Sequence, residues 1–327
     1  MELRILRAAE VRALLPMAEC IELMDQTMRA VSEGRVTLPL RSVLVMPGDR
    51  GMMGNMPGYI AEPECFGIKL VSLIPRNKPP AHSSHLGVVL LFEIEHGQPV
   101  ALMDAAEITA IRTAAASGLA TRLLARPDAD DLALIGAGEQ ARSHLEAMLC
   151  VRSLRRIRVW ARDPAKAAAF AAREGARHGV TIEVAGSPMA AVTGSSLICS
   201  VSKAREPILE GAWVAAGAHL NVVGSSIAQA AEVDTAAVVR SRFFVDRRES
   251  TYNEGGEYRR ALAAGAITPD HIVAEIGEVA NGSKPGRLSP RDVTMYKSLG
   301  ISPQDLASAY HVLQKSRAAG IGQVVEL

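Results

Sequence analysis

The chain has 327 residues, 36 Lys+Arg against 35 Asp+Glu, and 48% hydrophobic residues; at about 150 residues per domain that suggests two domains, each large enough to bury a core. Balanced charge without a basic tract and only 4% aromatics argue against a nucleic-acid partner, and the longest apolar run, 86–92, falls far short of the roughly 18 residues of a membrane span. Charges interrupt the N-terminus, unlike a signal peptide, and Cys20, Cys65, Cys150 and Cys199 form no CxxC, so the expectation is a soluble cytoplasmic protein without a disulfide framework or metal site.

Residues 10–32 read as one helix, with Val11, Leu14, Leu15, Ala18, Ile21, Met24 and Met28 at helical spacing. Between 36 and 103 short β-type runs (41–45, 66–71, 88–92) are cut by Pro and Gly. An Ala-rich helix follows over about 109–125 and stops at Arg126-Pro127-Asp128. From there strand and helix signals alternate: strands at 132–135, 156–160, 181–184, 197–201, 220–223 and 243–245, helices to about 149 and over 164–173. That rhythm predicts βαβ units and a parallel sheet. A last helical pattern runs from Asp305 to about Arg317. The expected organisation is a smaller mixed α+β domain over 1–125, a Rossmann-type α/β domain over 126–304, and a C-terminal segment 305–327 packing back on the first. The dense charges between Asp246 and Glu257 read as a solvated loop and helix.

Gly136-Ala137-Gly138-Glu139-Gln140-Ala141 follows a strand and opens a helix. A GxGxxA in that context cradles a dinucleotide pyrophosphate: the first glycine allows the turn, the second lets backbone approach the phosphates, and a small third residue packs helix on strand. NAD-binding chains usually end the second strand with an acid that holds the ribose hydroxyls. Here Ala161 stands in that place, Arg162 follows, and Lys166 lies one turn on. A 2′-phosphate is attracted by such a pair, so NADP(H) is favoured with NAD(H) as the lesser option; the plain alternative is that both are surface charges. Asp163 reads as the cap of the helix that Pro164 opens.

In the first domain Arg41 ends an apolar run, Lys69 interrupts an apolar strand, His85 sits in the loop before 86–92, and Arg112 lies on an otherwise apolar helix. Together the three cations suggest a pocket for an anionic substrate. These pieces, with 108–115 (Ile-Thr-Ala-Ile-Arg-Thr-Ala-Ala), the glycine loop, 217–226 (Gly-Ala-His-Leu-Asn-Val-Val-Gly-Ser-Ser) and Lys297-Ser298-Leu299-Gly300, resemble the ornithine cyclodeaminase/mu-crystallin family from about residue 35 to 310. The resemblance implies an α/β homodimer whose first domain carries the substrate pocket and the subunit contact. It implies that Arg41, Lys69 and Arg112 bind the substrate carboxylate. It places Thr113, Gly136, Gly138, Gln140, Arg162, Ser200, Val201, Ser202, Val223 and Ser298 along the cofactor, and Arg112, Glu139, Ala161 and Lys166 are expected to join them.

The family holds several activities, so the departures matter. Its cyclodeaminases have Gly-Ala-Asp where this chain has Gly224-Ser225-Ser226, and a carboxylate upstream of the lysine where 51–56 has none. A serine cannot replace that aspartate as a general base. The chain is in these respects similar to the ketimine (Δ1-pyrroline-2-carboxylate) reductase branch. The expected reaction is NADPH-dependent reduction of a cyclic ketimine carboxylate, Δ1-pyrroline-2-carboxylate to L-proline, with Δ1-piperideine-2-carboxylate to L-pipecolate as a second conversion. Lys69, His85 or a water held by Ser226 supplies the proton, and Met52, Met53 and Met56 form either an apolar wall or plain core. Ornithine cyclodeaminase, an alanine-type dehydrogenase and a non-catalytic small-ligand carrier are the alternatives.

Overall fold

The computed structural model describes residues 2–48, 50–74 and 85–326, His85 by its backbone only. The chain divides into two compact units, Met1–Arg112 with Ile301–Leu327, and Thr113–Gly300. The division falls inside a helix rather than after residue 125, and the return to the first unit begins at Ile301 rather than 305. A helix needs no turn where its neighbours change, so composition carries no mark at that point.

The first unit runs β1 (Glu2–Leu6), α1 (Ala8–Leu14), α2 (Met17–Ser32), β2 (Val36–Thr37), β3 (Ser42–Met46), β4 (Gly51–Ala61), β5 (Glu64–Leu73), β6 (His85–Phe92), β7 (Pro99–Asp104) and the start of α3 (Ala105–Leu124), and it ends with a C-terminal helix, Ser302–Ala319, and a closing strand, Gln323–Glu326. The sheet order is closing strand, β1, β7, β6, β5, β4, β2, with β3 also on β4. The single helix expected over 10–32 is two, because Pro16 has no N–H to donate and forces Leu15 out of the helical region (φ −123°, ψ 70°). Strand β4 was hidden by its glycines and Pro57. One of those glycines has a clear purpose. Gly58 pairs with Gly67 across β4 and β5. A Cβ on Gly58 would lie 2.7 Å from Ser302 Oγ, and one on Gly67 3.2 Å from Leu306 and 2.3 Å from the Leu90 carbonyl oxygen. Two absent side chains therefore let the first turns of the C-terminal helix lie against the sheet. Along β5 Cys65, Gly67 and Lys69 share the buried face, as a period of two requires, so Lys69 sits on the face that this helix covers.

The second unit completes α3 and continues with β8 (Asp131–Ile135), α4 (Glu139–Val151), β9 (Arg156–Trp160), α5 (Pro164–His178), β10 (Glu183–Val184), β11 (Leu197–Ser200), β12 (His219–Val222), β13 (Ser241–Val245), β14 (Ile272–Glu275) and β15 (Val293–Lys297). The order is β10-β9-β8-β11-β12-β15-β13-β14, and every pairing is parallel. Every residue of β8, β11, β12 and β15 is buried, which explains their near-continuous apolar runs: helices cover both faces of a parallel sheet. Strand order reverses between β8 and β11, the position where ligands of such sheets bind.

The charged stretch after β13 is not a solvated loop. Asp246 is fully buried and accepts hydrogen bonds from the Tyr296 hydroxyl, the Leu299 amide (2.7 Å) and the Gly300 amide (2.6 Å). Glu257 is buried as well. Buried carboxylates need donors, and the backbone amides after β15 supply them.

Candidate active site

In the first unit Lys69 and Arg112 are brought together by a third residue. Lys69 Nζ lies 2.7 Å from Asp305 Oδ2, and Arg112 Nε donates to Asp305 Oδ1 at 2.8 Å. Arg112 Nη1 donates to Gln304 Oε1 at 2.7 Å, and Lys69 Nζ reaches Thr109 Oγ1 at 3.5 Å. All three charged side chains are almost wholly buried. Burial pushes the Lys69 ammonium down to about 8; Asp305 opposes the fall, while Arg112 and Arg41 add to it. For Asp305 burial works upward, but the adjacent Arg112 and Lys69 outweigh it and hold the carboxyl below its ordinary range. Arg41 stands just before β3, half-buried, and its charge is felt at Lys69. Lys69, Arg112 and Arg41 thus belong to one electrostatic cluster, in which Asp305 is the shared counter-ion of Lys69 and Arg112.

His85 is the first residue of β6, paired with Leu73, rather than part of a preceding loop; its side chain lies outside the described residues. The methionines divide. Met56 is buried and pairs with Lys69, so it shares that residue's face, whereas Met53 alternates to the other side and is exposed.

In the second unit the glycine loop has the geometry its spacing predicts. Gly136 follows β8 at φ +131°, and a Cβ there would lie 2.9 Å from the Val201 carbonyl oxygen. Gly138 precedes α4 with no side chain capping the helix, and a Cβ on it would meet nothing within 4 Å. Ala141 is fully buried. The first-turn amides of α4 are thus available to an anion. Among the described residues, five buried side-chain oxygens have neither a hydrogen bond nor an ion pair: Thr113 Oγ1, Gln140 Oε1, Ser143 Oγ, Ser200 Oγ and Ser298 Oγ. Buried polar atoms are normally satisfied, and the four other than Ser143 Oγ stand at positions expected to line the cofactor. The chain's residues therefore fit a dinucleotide.

Other expected cofactor positions differ in what they offer. Val201 and Val223 are buried. Ser202 Oγ donates to Glu232 Oε1 at 2.7 Å and accepts from the Ala204 amide, so its hydroxyl is already engaged. Glu139 pairs with Arg142 at the surface. Ala161 is half-buried, and Arg162 is exposed with no ion pair or hydrogen bond among the described residues. Lys166 Nζ lies 4.0 Å from Asp163, whose carboxylate accepts from the Ala165 amide at 3.1 Å and caps α5.

Ser226 is half-buried on the turn after β12. The carboxylates bonded to that turn are occupied. Glu232 accepts from the Gly224 amide (2.5 Å) and the Ser202 amide (2.7 Å). Glu257 accepts from Ser225 Oγ and the Glu232 amide (2.9 Å) and pairs with the fully buried Lys297 at 2.9 Å. Lys297 also donates to the Ser225 carbonyl at 2.6 Å. Sequence reading singled out neither Asp305 nor Gln304, Glu232 or Glu257. An acid in the first turn of a helix, as Asp305 is, ordinarily serves only the helix dipole; an apolar surrounding such as Ile301, Leu306 and Ala307 is the one signal that it is buried. Among the described residues no group of three or more His, Cys, Asp or Glu is placed to hold a metal ion, and no helix is long and apolar enough to cross a membrane.

A parallel sheet with a glycine phosphate loop at its reversal point, and a unit with buried cations for an anion, define an NAD(P)H-dependent oxidoreductase. The chain belongs to the ornithine cyclodeaminase/mu-crystallin family, whose model matches residues 1–320. It is 39% identical over 277 residues to the ketimine reductase mu-crystallin of Mus musculus, covering 85% of this chain and 84% of that one. It is 30% identical over 323 residues to a Δ1-pyrroline-2-carboxylate reductase of Bacillus cereus, covering 98% and 99%. Among solved structures it superposes on the Thermococcus litoralis Δ1-pyrroline-2-carboxylate reductase in complex with NADH and L-proline, with a TM-score of 0.95, 34% identity and coverage of 98% and 99%.

Proposed function

We propose that this protein reduces a cyclic ketimine carboxylate, Δ1-pyrroline-2-carboxylate to L-proline, and also the six-membered Δ1-piperideine-2-carboxylate to L-pipecolate, with NADPH preferred over NADH. The observation that carries the choice within the family is the turn at Gly224-Ser225-Ser226: it presents a serine, and the carboxylates bonded to it, Glu232 and Glu257, are held by backbone amides and Lys297. A cyclodeaminase needs a base there to handle the amino group, whereas a reductase needs only a protonated C=N bond.

Arg112, Arg41 and Lys69 bind the substrate carboxylate, with guanidinium geometry fixing the orientation of the ring. When bound, the reduced nicotinamide supplies the hydride. Lys69 holds the proton that makes the imine carbon electrophilic; its lowered pKa keeps that proton transferable near neutrality. His85 and a water held by Ser226 are the alternative proton sources. One methylene of ring size is worth only about 1–3 kcal/mol in an apolar pocket, so both rings are accepted. The test is NADPH oxidation with Δ1-pyrroline-2-carboxylate, beside NADH and beside ornithine plus NAD with an ammonia readout. Ammonia from ornithine without imine reduction would overturn the assignment.

Arg162 binds the 2′-phosphate, supported by Ala161 in the place of the usual acid and by the absence of a competing partner among the described residues. Arg162→Ala is expected to raise KM for NADPH by about 10–100-fold, the worth of a charge-assisted bond, and to leave KM for NADH nearly unchanged; equal effects on both would remove Arg162 from cofactor choice.

The protein acts as a homodimer through its first unit. Among the described residues strand β3 pairs only with β4, and Val43, Leu44 and Val45 are 47%, 57% and 68% exposed, an apolar edge that a lone chain would leave open. Leu44→Glu with Val45→Lys is expected to give a monomer by light scattering, and an undiminished dimer would place the contact elsewhere.

A further inference from the structure

We propose that Asp305 is a positioning residue that keeps Lys69 an ammonium and aims it, so that the proton needed by the imine is present before substrate arrives. This rests on the role given to Lys69 above.

The geometry is specific. One carboxylate, with its side chain fully buried, takes Lys69 on Oδ2 at 2.7 Å and Arg112 on Oδ1 at 2.8 Å. The cations facing Lys69 come from two places, Arg112 on α3 and Arg41 before β3. Strands β4 and β6 place only Met56 and Val89 opposite it. From α2, Cys20 lies beside the C-terminal helix, bonded to Ser308, and burial pushes its thiol up to about 12, so it brings no charge. Lys69 and Arg112 share this one carboxylate, and Arg41 adds its positive charge nearby. Of the three, only lysine can lose its proton readily, because a guanidinium stays charged. Without Asp305 the repulsion would therefore be relieved by deprotonating Lys69. With it, Lys69 stays charged, and Gln304 and Asp305 hold two edges of the Arg112 guanidinium at 2.7 and 2.8 Å. The Gly58–Gly67 contact that seats this helix on the sheet is what places Asp305 within reach.

The chain has only seven lysines, so the Lys69 ammonium can be followed by 15N NMR of lysine-labelled protein, assigned with Lys69→Arg, alongside the pH dependence of kcat with Δ1-pyrroline-2-carboxylate. In Asp305→Asn the Lys69 titration is expected to move toward lower pH by about 1–3 units, the usual effect of losing an adjacent opposite charge, with the alkaline limb of kcat moving alongside. Arg112→Met, which removes a cation, is expected to move Lys69 the opposite way. A Lys69 titration unmoved in Asp305→Asn overturns the proposal. If that variant does not fold, Arg112→Met decides, and an unmoved or lowered titration there overturns it equally. Absence of imine reduction in the parent protein would overturn the reductase reading, and the titration of Lys69 would still decide the role of Asp305.

Discussion

Replacing Lys69 by alanine is expected to lower kcat for imine reduction by about 10²–10⁴-fold, the range of a lost general acid, and to leave cofactor affinity within about twofold. Lys69 is a residue of the first unit, on β5, whereas the glycine loop and the unpartnered oxygens of Thr113, Gln140, Ser200 and Ser298 belong to the second. The variant should also lose most of its affinity for a carboxylate product such as L-proline, measurable by calorimetry. Retained turnover would mean that His85 or a water at Ser226 is the proton source. The same assignment sets a pH dependence. The Lys69 ammonium titrates near 8, the acid form is the active one, and activity should therefore fall about tenfold per unit as pH rises above about 8. A profile level to pH 10 would exclude it.

The two glycines of the phosphate loop are expected to fail in different ways. Gly136→Ala puts a Cβ 2.9 Å from the Val201 carbonyl oxygen and 3.1 Å from its carbon, on a residue at φ +131°, a region essentially closed to side chains. It should cost about 1–3 kcal/mol of stability in urea unfolding and abolish measurable cofactor binding, because the two loops at the sheet's reversal point must separate. Gly138→Ala meets no protein atom within 4 Å and sits at φ −103°. Its stability should be unchanged, yet NADPH binding by fluorescence titration should weaken at least about tenfold, because the methyl group stands in front of the α4 amides. If Gly138→Ala bound NADPH normally, the phosphate site would not be at that helix.

The second unit was legible almost throughout. A buried parallel sheet demands continuous apolar strands, and those runs, together with the glycine loop and the Asp163 cap, are local properties that one stretch of chain declares by itself. The first unit was less so. Its β4 was not among the predicted runs because Gly51, Gly54, Pro57 and Gly58 are poor strand formers, and what keeps Gly58 there is a helix approaching from the far end of the chain. The same holds within the charged stretch 246–257: composition suggests solvent, but Asp246 and Glu257 are drawn inside by backbone amides and a lysine supplied from β15 and the residues just after it.

What the sequence by itself determined is the set of parts: a dinucleotide loop with Ala161 in place of the usual acid and Arg162 beside it, three cations each set against a locally apolar stretch, and a serine where an acid would signal deamination. These are legible because each is a residue type at a fixed local spacing. Only the tertiary structure decided that Lys69 and Arg112 meet on one carboxylate, 193 residues along the chain from Arg112, and that the acids bonded to the Ser226 turn are already taken. A buried charge is stable only when its partners surround it. Those partners come from whatever element the fold lays alongside, and no local pattern announces which one that is.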